Sequence, residues 1–192
     1  IDDDEITFSD LLSQLVNDQL NVNQNFSMTK YKLPDLLSNN LTYADLCSFF
    51  NSEKCFSVLC RYLPNGINSD ELRKLDNKRR NPFHFACAGG DMVIIKMLHE
   101  IFDANEKDDD GYTVCHYAAM NGSIEVFQYL CENGANIFSS YFPAFITPFH
   151  VACIYGNINI IKFIAAKAGK DEINKLLFDN SDNNPLCLAS KN

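Results

Sequence analysis

The sequence predicts an all-α solenoid, in which pairs of antiparallel helices stack side by side along the chain. The first observation is a repeated frame, which occurs as Asn-Pro-Phe-His-Phe-Ala-Cys at 81–87, Thr-Val-Cys-His-Tyr-Ala-Ala at 113–119 and Thr-Pro-Phe-His-Val-Ala-Cys at 147–153. The second is its spacing, because His84, His116 and His150 stand 32 and 34 residues apart. The third is a glycine followed by an apolar helical pattern after each frame. Each period therefore holds one helix pair, which buries its apolar face against its neighbours.

The N-terminal segment, residues 1–40, is predicted to be a helical extension that precedes the repeated units. Over residues 5–20 the leucines and Val16 recur at helical spacing, and Thr7 is suited to cap the helix. A polar stretch follows, and Pro34 at a first-turn position starts a second short helix.

The remaining residues, 41–192, divide into units of about one period each. Residues 41–75 form a degenerate unit, in which Asp45 replaces the histidine and Asn51 replaces the glycine. Three clear units are expected at 76–107, 108–140 and 141–178. A weaker copy of the frame at 184–189 predicts a partial or capping unit over 179–192.

Local signals define the two helices of each clear unit. Gly90, Gly122 and Gly156 are predicted to end the first helices, because the chain needs a residue that accepts positive φ to turn back. Second helices are expected over 92–102, 124–131 and 158–166. In the first of these we expect the buried side to contain Val93, Ile94, Met97 and Leu98.

The frame, its period near 33 residues and the exit Gly134-Ala135-Asn136 resemble the ankyrin repeat, whose Thr-Pro-Leu-His-x-Ala motif opens the first helix. The phrase Ser-Phe-Phe-Asn-Ser-Glu-Lys-Cys-Phe at 48–56 resembles the divergent ankyrin repeats of protists, in which a helical segment commonly precedes the repeats. The resemblance implies that long loops project as hairpin fingers. It also implies that the motif histidine bonds backbone groups of its own and neighbouring loops, and that the domain binds proteins without catalysing a reaction.

Composition excludes several classes of partner. The net charge is −9, with 16 basic against 25 acidic residues, which argues against nucleic acid. No apolar stretch reaches the roughly 20 residues of a membrane span, so membrane insertion is not expected. The eight cysteines fall at apolar helical positions without a Cys-x-x-Cys pair, which favours a reducing, cytoplasmic location. Because the chain starts at Ile1 and stops early in a unit, we expect it to be part of a longer protein.

Catalysis and cofactor or metal binding are not predicted. His84 with Cys87 and His150 with Cys153 suggest metal ligands, but zinc needs four ligands that converge on one point. Equivalent positions in neighbouring units lie about 10 Å apart, which is too far for a shared centre. The sequence also lacks a nucleophile motif with its base and orienting group.

Three loops carry the candidate partner-binding residues, and we name them the finger loops. The first, 73–80, is basic; the second, 106–110, is acidic; the third, 138–146, is aromatic. The candidates are Lys78, Arg79, Arg80, Asp108, Asp109, Asp110, Phe138, Tyr141, Phe142 and Phe145. The charged loops are alternatively ordinary solvated loops. The aromatic residues pack internally, contact a partner or mediate self-association, because burying each one is worth about 1.5–3 kcal/mol.

A second candidate surface is the concave groove, which in ankyrin proteins is lined by the two residues after the paired small positions of each first helix. Met120, Ile154 and Tyr155 hold these positions and suit an apolar peptide or helix. Phe49 and Phe50 are expected to pack on the N-terminal helix instead.

The predicted function is a non-enzymatic scaffold for another protein or peptide. The alternatives are a self-associating, homo-oligomeric domain and a regulatory or targeting segment of a larger protein.

Overall fold

The computed structural model describes residues 41–140 and 145–169, and these residues form four helix pairs in chain order. The pairs are α1 (Tyr43–Phe49) with α2 (Glu53–Tyr62), α3 (Pro82–Gly89) with α4 (Met92–His99), α5 (Val114–Asn121) with α6 (Ile124–Glu132), and α7 (Pro148–Ile154) with α8 (Ile158–Lys167). Two 3₁₀ helices, Gly66–Asn68 and Asp70–Arg73, lie between the first two pairs.

The helix pairs stack as a solenoid. The first helices α1, α3, α5 and α7 pack against one another in chain order, and each contacts the second helix of its own pair. The predicted all-α solenoid is therefore confirmed for the part of the chain that is described. The predicted helical extension over 1–40 and the partial unit over 179–192 lie outside the described residues.

The repeated frame starts each first helix through a capping box. The residue before the helix is Thr42, Asn81, Thr113 or Thr147, and the third helical residue is Asp45, His84, His116 or His150. In every pair the side chain of the capping residue faces the backbone N–H of the third helical residue. The side chain of that third residue in turn accepts the backbone N–H of the capping residue. Two N–H groups that the helix itself cannot satisfy are thereby bonded.

Residues of positive φ end the first helices, as the sequence predicts. Gly90 has φ 98° and Gly122 has φ 91°, and Gly156, one residue after the cap of α7, has φ 70°. In the degenerate unit Asn51 takes this role with φ 56°. Asparagine is one of the few residues with a side chain that adopts this conformation readily.

The core lies between the first and second helices, and one predicted core position is wrong. Val93 is 45% exposed, whereas Ile94, Ile95 and Leu98 are fully buried. Helix α4 ends at His99 instead of 102 and presents its 94, 95 and 98 positions to α3, which turns Val93 toward solvent. Phe102 is nevertheless buried, because the turn after the helix folds it back onto the core.

Small residues allow the first helices to approach closely. Ala86, Ala118 and Ala152 are all fully buried at equivalent positions of the frame. At Gly89 the approach is closer still, because a Cβ atom there would lie 2.5 Å from the carbonyl oxygen of Phe49 and 2.8 Å from that of Ser48. Only glycine fits between these units without moving α1.

Candidate interaction surface

Two of the motif histidines, His84 and His116, join their helices to the loop that follows. Nδ1 of His84 accepts a hydrogen bond from the backbone N–H of Asn81 at 3.2 Å, and Nε2 donates to the carbonyl of Glu106 at 3.3 Å. His116 repeats the arrangement with the N–H of Thr113 at 3.0 Å and the carbonyl of Ile146 at 3.3 Å. Because a carbonyl oxygen only accepts, Nε2 carries a proton in both bonds; Nδ1 of His84 also lies 2.8 Å from the side-chain oxygen of Asn81.

The environment of these histidines keeps them neutral. Burial, partly opposed by the hydrogen bond to the Glu106 carbonyl, lowers the pKa of His84 to about 4. Burial lowers the pKa of His116 to about 4 in the same way. His84 and His116 thus have the structural role that the ankyrin resemblance implies for the motif histidine.

The first two finger loops are tight turns built on buried carboxylates. Asp76 and Asp108 each stand eight residues before the motif histidine. Asp76 accepts from the N–H groups of Lys78 and Arg80 at 2.9 and 2.8 Å, and Asp108 accepts from that of Tyr112 at 2.8 Å. A backbone bond of 3.0 Å from Asp76 to Arg80, and another from Asp108 to Tyr112, closes each turn.

Two predicted partner-binding residues are buried in these turns, and their expected place at the fingertips is wrong. Arg80 is 2% exposed and donates twice to Asp76, at 2.8 Å from Nε and 2.6 Å from Nη2, while its guanidinium lies 4.7 Å from the ring centre of Phe85. Asp108 is 5% exposed and accepts from the Tyr117 hydroxyl at 2.5 Å. A charge that leaves water needs such partners, so both side chains point inward.

The other four charged candidates are at the surface, but they face one another. Lys78 Nζ lies 2.8 Å from Asp110 Oδ2, and Arg79 Nε lies 4.0 Å from Asp109 Oδ1. The N–H of Asp109 also donates to the carbonyl of Lys78 at 2.9 Å. The first two finger loops therefore form one surface of paired charges, instead of a separate positive and negative tip.

The third finger loop is built differently. Phe138 is half-buried against the core, and Phe145 is 42% exposed; Tyr141 and Phe142 lie outside the described residues. Phe145 has φ 48° at the position where the second loop has Gly111 with φ 77°, an unfavourable conformation for an aromatic residue. In the sequence, Phe142 occupies the place of the turn-building aspartates, eight residues before His150.

Asparagine side chains align the ends of the first helices. They bond helix-end carbonyls of a neighbouring unit: Asn51 to Gly89 at 3.0 Å, Asn121 to Ala88 and Gly89 at 2.9 and 3.0 Å, and Asn157 to Ala119 and Met120 at 2.7 and 3.2 Å. These carbonyls have no partner inside their own helices, so the amides satisfy them and fix the spacing of the units. The sequence interpretation missed this role, although an amide near each inter-helix turn was a usable signal.

The aligned helix ends form the groove row, which we define as residues 49–50, 88–89, 120–121 and 154–155. None of these eight residues is charged, and Tyr155 is 53% exposed while Met120 and Ile154 are half-buried. Burial, then Asp110 and Asp108, and then Tyr155 raise the pKa of Tyr112. Tyr155 is thus close enough to Tyr112, which follows the second finger loop, for the two side chains to interact electrostatically. Phe50 is 39% exposed beside Phe49, edge to face at 5.3 Å.

Two other features are absent from residues 41–140 and 145–169, a candidate metal site and a membrane-spanning helix. There, no three His, Cys, Asp or Glu side chains are grouped so that they could hold a metal ion. No helix in those ranges is long and apolar enough to cross a membrane. The seven cysteines in the same ranges are all free thiols.

Comparison with known proteins identifies the family. A family model of three ankyrin repeats matches residues 46–140, and a model of one ankyrin repeat matches residues 145–172. The chain belongs to the ankyrin-repeat family. Repeats of this family generally mediate protein–protein interaction and are typically non-enzymatic.

Three curated relatives illustrate how widely the repeats are used. The chain is 30% identical over 129 residues to the probable 26S proteasome regulatory subunit p28 of Saccharomyces cerevisiae, covering 65% of this chain and 54% of the relative. It is 30% identical over 104 residues to alpha-latrotoxin-Lg1a of Latrodectus geometricus, covering 53% of this chain and 7% of the toxin. It is 28% identical over 74 residues to palmitoyltransferase AKR1 of Candida glabrata, covering 37% of this chain and 10% of the relative. The chain thus spans about half of the yeast subunit and a tenth or less of the others.

Proposed function

We propose that this chain is a non-enzymatic protein-interaction module, which holds an apolar segment of another protein in the groove between the first helices and the finger loops. The observation that carries the proposal is the uncharged groove row, in which Met120, Ile154 and Tyr155 offer apolar surface beside one another. Apolar and aromatic side chains of this kind form the centre of protein interfaces, where charged residues are depleted.

The geometry of the groove favours binding because it is already formed. The asparagine bonds and the close contact at Gly89 hold the helix ends in register before any partner arrives. Less conformational entropy is then lost on association than with a flexible loop. Burying a side chain such as Tyr155 in a partner contributes about 1.5–3 kcal/mol.

The paired charges of the first two finger loops form the rim of the proposed site. Lys78, Arg79, Asp109 and Asp110 are partly exposed and already compensated by one another. Rim charges change the rate and selectivity of association more than the affinity. We propose that they select partners, while the groove row supplies most of the binding energy.

The relatives favour a role as a scaffold over an enzymatic activity of this chain. Their names describe a proteasome subunit, a toxin and a palmitoyltransferase, and ankyrin repeats are the part that this chain shares with such different proteins.

The free cysteines agree with a reducing compartment: burial raises the pKa of Cys60 to about 11 and that of Cys115 to about 12, which makes both thiols unreactive. We therefore propose a cytoplasmic scaffold.

The test compares two surface variants for capture of partners from extracts of the source cells. Met120→Gln with Tyr155→Ser removes apolar surface from the groove row, whereas Tyr62→Ser removes an aromatic ring that is 62% exposed on α2. We expect the groove variant to retain at most about a tenth of the captured protein, a loss of about 1.4 kcal/mol or more, and the Tyr62 variant to match the wild type. Equal capture by both variants, at unchanged melting midpoints, would refute the proposal.

Light scattering on the same proteins distinguishes self-association. A wild-type mass of 21.7 kDa across the concentration series is expected for a domain that binds a different protein. A dimer that the groove variant dissociates would instead make the groove row a contact between two copies of the chain.

A further inference from the structure

The first unit departs from the others at the residue that joins units together. Asp45 occupies the place of the motif histidine in α1, and its Oδ2 atom accepts from both the N–H and the hydroxyl of Thr42 at 2.8 Å. In the later units Nδ1 of the histidine accepts the N–H of the equivalent cap residue. Oδ2 therefore substitutes for Nδ1.

The second oxygen of an ionised Asp45 cannot substitute for Nε2–H of the histidine, because a carboxylate oxygen only accepts hydrogen bonds. Nε2–H of His84 and of His116 donates to a backbone carbonyl of the following loop. Asp45 is 0% exposed, and within the described part of the chain its Oδ1 atom has no hydrogen-bond partner. Ser48, one turn further along α1, is also fully buried with an unbonded hydroxyl oxygen in that part of the chain.

We propose that Asp45 takes up a proton when the first unit folds against the second, so that this unit docks more weakly as the pH rises toward neutrality. A protonated carboxyl group carries one acceptor and one O–H donor, which is the pattern of the neutral histidine that it replaces. An ionised carboxylate would bury a negative charge with one oxygen unsatisfied, which is strongly unfavourable.

The charged groups around Asp45 come from the turn of the first finger loop. Asp76 repels a negative charge on Asp45, and Arg80 attracts it, but the guanidinium is already bonded twice to Asp76. Burial is the largest effect and raises the pKa of Asp45 to about 7, against the bonds from Thr42 and the charge of Arg80.

Among the described residues, the helices packed against α1 bring no compensating cation close to Asp45. On α3 the titratable side chains are His84, which is neutral near pH 7 because burial lowers its pKa to about 4, and Cys87, whose thiol pKa burial raises. On α1 itself burial raises the pKa of the Tyr43 hydroxyl and of the Cys47 thiol, so neither carries a charge near pH 7. The remaining titratable groups, all on α2, are the thiols Cys55 and Cys60 and the exposed side chains Glu53, Lys54, Arg61 and Tyr62.

The direction of the pH effect follows from proton linkage. An aspartate in the unfolded chain has a pKa of about 4, so between about pH 4 and pH 7 the folded unit binds a proton that the unfolded unit does not. The stabilisation is complete below this range and is lost as the pH rises through it. The opening equilibrium constant of the first unit therefore increases about 50-fold from pH 5 to pH 7 and about twofold more by pH 8.

The direct test is an NMR titration of the Asp45 carboxyl carbon in the 192-residue chain. We expect a midpoint near 7, and a midpoint below about 5 would overturn the proposal. This measurement needs no substitution, so it decides the question even if a variant does not fold.

Hydrogen exchange then tests the consequence for docking. The opening constants of amides in α1 and α2 are compared between the wild type and Asp45→Asn, which keeps an acceptor and a donor but cannot titrate. The wild-type constant should rise about 50-fold relative to the variant between pH 5 and pH 7. In Asp45→His, which restores the motif, the opening constant should instead fall as the pH rises. Parallel pH profiles for the wild type and Asp45→Asn would overturn the proposal.

Discussion

Replacing Gly89 by alanine tests the claim that the units are held at a spacing set by backbone contact. The added Cβ atom would lie 2.5 and 2.8 Å from the carbonyl oxygens of Phe49 and Ser48, at the end of α1. These are backbone atoms, so no side-chain rotation relieves the contact. Gly89 lies in α3 without a positive φ, so alanine is not strained by its own conformation. The clash therefore acts by separating α1 from α3.

The size of the effect follows from three contributions. Overpacking of this kind destabilises by about 1–3 kcal/mol. The carbonyl of Gly89 also accepts from Asn51 of the first unit at 3.0 Å, and losing this bond as α1 moves away removes about 1 kcal/mol. Alanine recovers about 0.4–1 kcal/mol by restricting the unfolded chain. We expect a net loss of about 1–3.5 kcal/mol in the free energy of unfolding.

Urea unfolding followed by circular dichroism measures this loss, with Gly169→Ala as the control. Among the described residues, no other atom would lie within 4 Å of a Cβ atom added at Gly169, whose φ is not positive, so alanine there should be neutral or slightly stabilising. A Gly89→Ala variant within about 0.5 kcal/mol of the wild type would show that the units slide apart easily, and would refute the reasoning.

Two further predictions concern buried charge. Arg80→Met leaves the carboxylate of Asp76 buried without its cation, so we expect a loss of about 3–5 kcal/mol in urea unfolding, and a loss below about 1 kcal/mol would contradict the buried pair. His84 and His116 have lowered pKa values of about 4, so their stabilisation is complete above about pH 6.5 and is lost as the pH falls toward 4, by roughly 3 kcal/mol each. Urea midpoints measured in the Asp45→Asn background should fall over this range, and pH-independent midpoints would contradict the neutral, buried state of both rings.

The sequence predicted the features that depend on the residues of one unit. The frame marks the start of the first helix and the glycine marks the turn, so even the degenerate unit could be aligned through Asp45 and Asn51. These features are local, because a helix start and a tight turn need only a few adjacent residues of the right type.

The features that the sequence did not predict depend on the conformation of a loop or on how units stack. In the first finger loop, Lys78, Arg79 and Arg80 are adjacent cations, and only the positive φ of Arg79, 58°, and the buried Asp76 direct the third one inward. The pairing of Lys78 with Asp110 joins residues 32 positions apart and exists only once two units are side by side. The recurrence of aspartate eight residues before the motif histidine was a usable signal for the buried turns.

The central claim, that a partner binds in the groove, is tested most directly by site-specific crosslinking. A photoreactive phenylalanine analogue replaces Tyr155 in the groove row or, in a matched protein, Tyr62 on α2; these side chains are 53% and 62% exposed. After irradiation in extracts of the source cells, we expect Tyr155-substituted protein to form a discrete adduct with another protein, and Tyr62-substituted protein to form none. An adduct from position 62 with none from position 155 would place the partner outside the groove and contradict the account.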